Sequence, residues 1–159
     1  MCNCTDLTPV EFYRQYHSNP INKFIHFICI PMIVVCFLNY LSLFKFALAY
    51  KDLPIIYGIN LDIVALFIYC FYYNPFYWPI NVSIIMICAY ISWYNMAIEF
   101  RKKYAEDWVG LTHIIFILAW ILQFYGHYIE GNRPALTDSI SQAFISAPAF
   151  AILEPMGLI

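Results

Sequence analysis

WILQFYGHYIEGNRPALTD, residues Trp120 to Asp138, closes a long apolar run by collecting a histidine, two carboxylates, an arginine and carboxamide groups. Hydrocarbon tolerates such groups only where they face protein or water, so an ionisable residue at membrane depth marks a functional site by default. If Leu111–Ile129 is helical, steps of three and four residues place Trp120, Gln123, His127 and Glu130 on one face. The polar groups then form a stripe, which a neighbouring element can cover.

The composition fits that reading. Of 159 residues, 63% are hydrophobic and 11% charged, whereas soluble domains carry about a quarter charged residues. Several apolar runs exceed the roughly 18 residues that suggest a spanning helix, and little chain remains for a soluble region. The expected architecture is all-α: one integral membrane domain over residues 1–159, with about four spanning helices and short interfacial helices near each end. The formal net charge is -2 and the only basic run is Arg101-Lys102-Lys103, which excludes nucleic acid as a partner. No short apolar core with a small-residue cleavage site occurs in the first 23 residues, so the first span is expected to do the targeting. Four of the six cysteines, Cys29, Cys36, Cys70 and Cys88, lie inside apolar runs and no CxxC occurs, so no disulfide framework or zinc knuckle is indicated. Cys2 and Cys4 make an incomplete ligand pair.

Taken in order, Thr8-Pro9-Val10-Glu11 fits a capping box and predicts an interfacial helix from Pro9 to His17, stopped by Ser18-Asn19-Pro20. The first span is expected over Phe24–Phe44, kinked near Phe27 by Pro31, with Asn22 and His26 on one face of its first turns. Lys45–Leu53 reads as a loop, Pro54–Tyr73 as the second span, and Phe76–Ile98 as the third after a tight turn at Asn74-Pro75. Asp62 reads either as a helix-start cap or as a polar group facing the bundle interior, and the cap is favoured because Asp suits that position. Glu99–Trp108 reads as a charged loop and Val109–Ile129 as the fourth span. The segment from Asp138-Ser139 to Glu154, broken by Pro148, reads as an interfacial or re-entrant helix.

Four crossings put both termini on one side. His17, His26 and His127 therefore fall at the same leaflet, while His113, fourteen residues before His127 and roughly 21 Å away along a helix, belongs to the other. One histidine alone would read as a helix-end or carbonyl-bonded group. Three imidazoles with a carboxylate nearby can build a metal site with open positions, as Lewis-acid or oxygen chemistry requires. Asn19, Asn22, Gln123 and Glu130 are candidates to orient the rings, although Asn19 before Pro20 equally suits a turn. Arg133 can hold a substrate carboxylate by two parallel hydrogen bonds, or contact lipid phosphate, or pair with Glu130. Two other readings stay open at this point: a single haem between His26 and His127, and a binding or transport protein whose polar stripe relays ions.

Two long motifs add to this reading: Tyr16-His17-Ser18-Asn19-Pro20-Ile21-Asn22-Lys23-Phe24-Ile25-His26 with Pro31 following, and Gln123-Phe124-Tyr125-Gly126-His127 through Arg133-Pro134-Ala135-Leu136-Thr137-Asp138, then Gln142-Ala143, Ala147-Pro148 and Glu154. In order and spacing the chain resembles the 2-hydroxy-palmitic acid dioxygenase family, small multi-span proteins of the endoplasmic reticulum membrane. The resemblance implies an Fe(2+)-dependent oxidoreductase that uses O2 to shorten 2-hydroxy fatty acids by one carbon, in α-oxidation and in breakdown of the sphingolipid base phytosphingosine. It carries the metal-ligand role onto His17, His26 and His127, and none onto His113. The family usually places a glutamate four residues after the last histidine, whereas Glu130 comes three after. Both spacings keep the carboxylate on one helical face. Lys45, Lys51, Arg101, Lys102 and Lys103 against Arg14, Lys23 and Arg133 favour termini away from the cytosol.

Overall fold

In the computed structural model the described residues are 13–48, 57–138 and 140–158. They form α1 (Pro20–Leu41), β1 (Lys45–Leu48), β2 (Tyr57–Asn60), α2 (Leu61–Ile68), a π-helical turn (Tyr69–Tyr73), α3 (Asn74–Tyr77), α4 (Ile80–Lys103), α5 (Trp108–Glu130), a 3-10 turn (Ala135–Thr137) and α6 (Ile140–Leu153). Three helices, α1, α4 and α5, are long and apolar enough to cross a membrane. The box at Thr8–Glu11, Cys2, Cys4 and Ser139 lie outside the described residues.

The expected second span is corrected. Lys45–Leu48, read as loop, pairs antiparallel with Tyr57–Asn60, Lys45 opposite Asn60 and Leu48 opposite Tyr57. Helix begins only after Asn60, whose extended backbone starts α2, and helical backbone then runs from Leu61 to Tyr77, short of a full crossing. The apolar run looked continuous because composition does not register where an asparagine ends a strand and opens a helix. The turn before α4 also moves, from Asn74-Pro75 to Trp78-Pro79. There Asn74 Nδ2 donates to the Ser83 carbonyl (2.7 Å), and Ser83 Oγ donates to the Asn74 and Trp78 carbonyls (3.2 and 3.1 Å). Of the charged loop expected at Glu99–Trp108, Glu99 to Lys103 continue α4, leaving a turn at 104–107. Neither Pro31 nor Pro148 ends its helix.

The chain clusters into two compact units, Met1–Ile33 with Ile115–Ile159, and Val34–Ile114. In the second unit Asp62 is fully buried and does not cap α2; its Oδ2 accepts from Arg101 at 3.0 Å. Arg101 also donates to Asn39 Oδ1 (3.0 Å), and Asn39 Nδ2 donates to Thr112 Oγ1 (3.3 Å). Asp62 thus takes the interior-facing reading, because a countercharge 39 residues away neutralises it. Tyr69 stacks on Tyr90 at 3.6 Å.

In the first unit a buried cluster of Tyr13, Ala135 and Phe150, with Tyr16 and Ala147 against it, packs the N-terminal segment on the 3-10 turn and α6. Removing one member of a buried ion pair strands the other charge, which costs roughly 3–5 kcal/mol. Arg101→Ala and Asp62→Ala are each expected to lower stability by about that amount, and the double variant by less than the sum, as read by thermal unfolding in detergent.

Candidate metal centre

The site lies in the first unit. Asn19 begins α1 as its N-cap: Asn19 Oδ1 accepts from the Ile21 N–H at 2.9 Å, with Pro20 at the first helical position. Asparagine before proline already carries that signal in the sequence, which the reading of Ser18-Asn19-Pro20 as a stop missed. The cap sets where His26 falls on the helix, two turns in. Gly131, with φ +76°, closes α5 by accepting the left-handed conformation that other residues adopt poorly, and its N–H donates to the His127 carbonyl at 3.0 Å.

Between these helix ends the three histidines meet. Ring centroids lie 4.4 Å apart for His17–His26 and 4.9 Å for both His17–His127 and His26–His127, with planes crossed at 67–87°. One ligand atom from each falls within 4.8 Å of the others, and all three residues are buried. Three nitrogens ~2.1 Å from a shared ion span at most about 3.6 Å, so holding an ion draws the rings inward by roughly an ångström. His17 Nδ1 lies 2.8 Å from the Tyr13 carbonyl and His26 Nδ1 lies 2.9 Å from the Asn22 carbonyl. A carbonyl only accepts, so each Nδ1 carries the proton and each Nε2 keeps its lone pair. His17 Nε2 and His127 Nδ1 are buried without a hydrogen-bond partner. Orphaned imidazole nitrogens in one buried cluster fit a divalent metal of imidazole preference. Burial pushes His17 down to about 4, so the ring is neutral, and therefore able to ligate, at pH 7. Tyr13 stacks on His17 at 4.2 Å and Phe150 packs at 5.3 Å, closing that side to water.

The carboxylate of Glu130 takes no part in the histidine contacts. Its Oε1 accepts from the Ser18 N–H (2.7 Å) and hydroxyl and from the Asn19 N–H (3.0 Å), and its Oε2 from Asn19 N–H (3.0 Å) and Asn22 Nδ2 (3.1 Å). The last residue of α5 thereby binds the entry to α1. The alternative pairing of Glu130 with Arg133 is overturned: Arg133 reaches Asp138 at 2.9 Å and is 72% exposed. Asp138 also accepts from the Tyr16 hydroxyl. Gln123 is buried one turn before His127, and Asn22 meets His26 through its backbone rather than its carboxamide. His113 is exposed, with Nδ1 on the Val109 carbonyl, and joins no metal-capable cluster among the described residues. Three rings in mutual contact leave no slot for a porphyrin, so the haem reading loses its seat.

Two residues of the motifs to which the sequence reading gave no role, Gly126 and Glu154, support this geometry. A Cβ on Gly126 would collide with Asn22 Oδ1 and press on its Cγ at 3.2 Å, so the absence of a side chain there lets α1 and α5 close at the level of the histidines. Glu154 accepts from Arg14 at 3.0 Å and from Lys23 at 2.6 Å.

A family profile described as 2-hydroxy-palmitic acid dioxygenase Mpo1-like matches residues 8–159. The 2-hydroxy-palmitic acid dioxygenase MPO1 of Saccharomyces cerevisiae is 29% identical over 147 residues, covering 90% of this chain and 75% of the yeast protein. No solved structure matches.

Gly126→Ala is expected to cost about 1–3 kcal/mol by overpacking, and less in an Asn22→Ala background, as measured by a double-mutant cycle of unfolding. Burial raises the Glu154 carboxyl, but its bonds to Lys23 and Arg14 outweigh that and hold it below the ordinary range. A depressed folded value means stability that is present above the unfolded value of 4.5 and is lost as pH falls through the folded one. Hydrogen exchange of α6 should accelerate on acidification below about that pH, and Glu154→Gln should show the fast exchange already at neutral pH.

Proposed function

Because the chain belongs to the 2-hydroxy-palmitic acid dioxygenase Mpo1-like family, we propose that it is an Fe(2+)-dependent dioxygenase that shortens 2-hydroxy fatty acids by one carbon in α-oxidation, including acids derived from phytosphingosine. The observation that carries the reading is the buried trio of imidazoles whose ligand atoms lie within 4.8 Å. His17, His26 and His127 hold the metal. When bound, a three-histidine metal leaves coordination positions open for O2 and for a chelating substrate head.

The remaining residues prepare that site. The Tyr13 and Asn22 carbonyls fix the His17 and His26 tautomers, and Tyr13 with Phe150 excludes water from one side. Glu130 keeps the His17 segment against the end of α5 and is a positioning residue rather than a ligand. Arg133 pairs with Asp138 and is largely in solvent, and its proposed role is to hold the substrate carboxylate from that position. Three helices of spanning length support a membrane setting, in which an acyl tail and an acidic head would each keep their preferred medium. The endoplasmic reticulum is the membrane proposed, following the resemblance.

Protein purified in detergent without chelator is expected to contain iron and to take up O2 with 2-hydroxypalmitate. Chelation should abolish the uptake and Fe(2+), but not Zn(2+), should restore it. His127→Ala should lose iron and at least about a hundredfold in rate with its helical circular dichroism intact. Full turnover by the chelated protein or by that variant would refute the assignment.

A further inference from the structure

His127 lines a surface depression. The depression is about 450 Å³, bounded by Phe124, His127, Tyr128, Gly131, Asn132 and Pro134. That volume falls within the roughly 300–1,000 Å³ usual for small-molecule sites. Its walls are two aromatic rings, a proline and a glycine, with one carboxamide and the imidazole at the polar end, and no cationic side chain among them. A head group seated here gains no countercharge from the walls and draws on the metal that His127 would help to hold, which a carboxylate with a neighbouring hydroxyl can chelate.

Beyond Phe124 an aromatic row runs along α5. Phe116, Trp120, Phe124 and Tyr128 recur every four residues, so each neighbours the next while the row winds about a third of a turn around the helix from Tyr128 to Phe116. Trp120 contacts Phe116 at 6.2 Å and Phe124 at 5.8 Å between ring centroids. Phe124 is 53% and Tyr128 82% exposed, so the upper half of this row is not consumed by packing within the protein. From Tyr128 to Phe116 the row descends roughly 18 Å at 1.5 Å per residue, about the length of an extended palmitoyl chain.

We propose that this row is the acyl seat of the substrate: a single-chain 2-hydroxy acid places its head in the depression over His127 and lays its tail down α5 across Phe124, Trp120 and Phe116. The proposal rests on the dioxygenase reading given above and adds to it the residues that set chain length. Phe124 meets the methylenes nearest the head in any substrate. Trp120 and Phe116 meet only the far half of a long tail, so the row acts as a ruler with its zero at His127.

The test compares 2-hydroxy acids of eight and sixteen carbons on iron-loaded protein in nanodiscs. Trp120→Ala and Phe116→Ala should raise KM for the sixteen-carbon acid by ~5-fold or more and leave the eight-carbon acid unchanged, whereas Phe124→Ala should raise KM for both. Iron content should stay at the wild-type level in all three. In parallel, a 2-hydroxy acid with a diazirine in mid-chain should label the peptide spanning Phe116–Pro134, with or without iron, and excess 2-hydroxypalmitate should suppress the labelling. Unchanged KM ratios in the variants, labelling confined to other helices, or equal labelling by a diazirine phospholipid would overturn the seat. Wild-type protein that is labelled on α5 yet consumes no O2 with any 2-hydroxy acid would refute the dioxygenase reading while leaving the binding seat in place.

Discussion

One carboxylate holds the site together. Glu130, the final residue of α5, satisfies the N–H groups of Ser18 and Asn19 and the carboxamide of Asn22, donors that the start of a helix leaves without intrahelical partners. Ser18 and Asn19 follow His17 directly and Asn22 precedes His26 by one turn, while His127 lies three residues before the carboxylate itself. Each hydrogen bond that Glu130 accepts is therefore also a distance constraint between ligands over a hundred residues apart. Charge-assisted bonds to backbone are stronger than neutral ones, which suits a clamp that must bring together three neutral rings with no attraction for one another. Gly126 completes the arrangement by letting Asn22 approach α5 where a methyl group would hold it away.

The two ends of the polar inventory serve different purposes. In the first unit the buried polar groups converge with nitrogens left unpaired. In the second, Asp62, Arg101, Asn39 and Thr112 are hydrogen-bonded in a chain from member to member. A complete network rigidifies, whereas an incomplete one in a buried cluster is poised for something to complete it. That contrast separates a candidate metal centre from a structural ion pair within one apolar chain, though both present charged or titratable side chains in hydrophobic surroundings.

Much of this was legible in the sequence, and the boundary is physical. Long apolar runs at α1, α4 and α5 declare themselves because hydrocarbon thickness demands their length. Gathering His17, His26 and His127 at one leaflet by counting spans needed a fourth crossing, which three helices of spanning length do not supply, so among the sequence signals it is the two motifs that carry the set. The pairing of Lys45–Leu48 with Tyr57–Asn60 was hidden since neither strand alternates clearly between polar and apolar. Asp62 was misread because its partner is distant in sequence, and local rules assign an aspartate near a helix start to a cap. The Glu130 contacts were invisible for the same reason: which donors a carboxylate reaches across 111 residues is decided by packing, not by spacing.

His17 and His26 emerge early from the ribosome, and His127 about a hundred residues later. At synthesis rates of about 5–20 residues per second, the chain spends on the order of several seconds with two imidazoles facing one another before the third, and the glutamate that fastens them, has been made. A metal held by all three rings would then be loaded at the close of biogenesis rather than serve as a nucleus for it, and α1 would fold first with only two of the three imidazoles made.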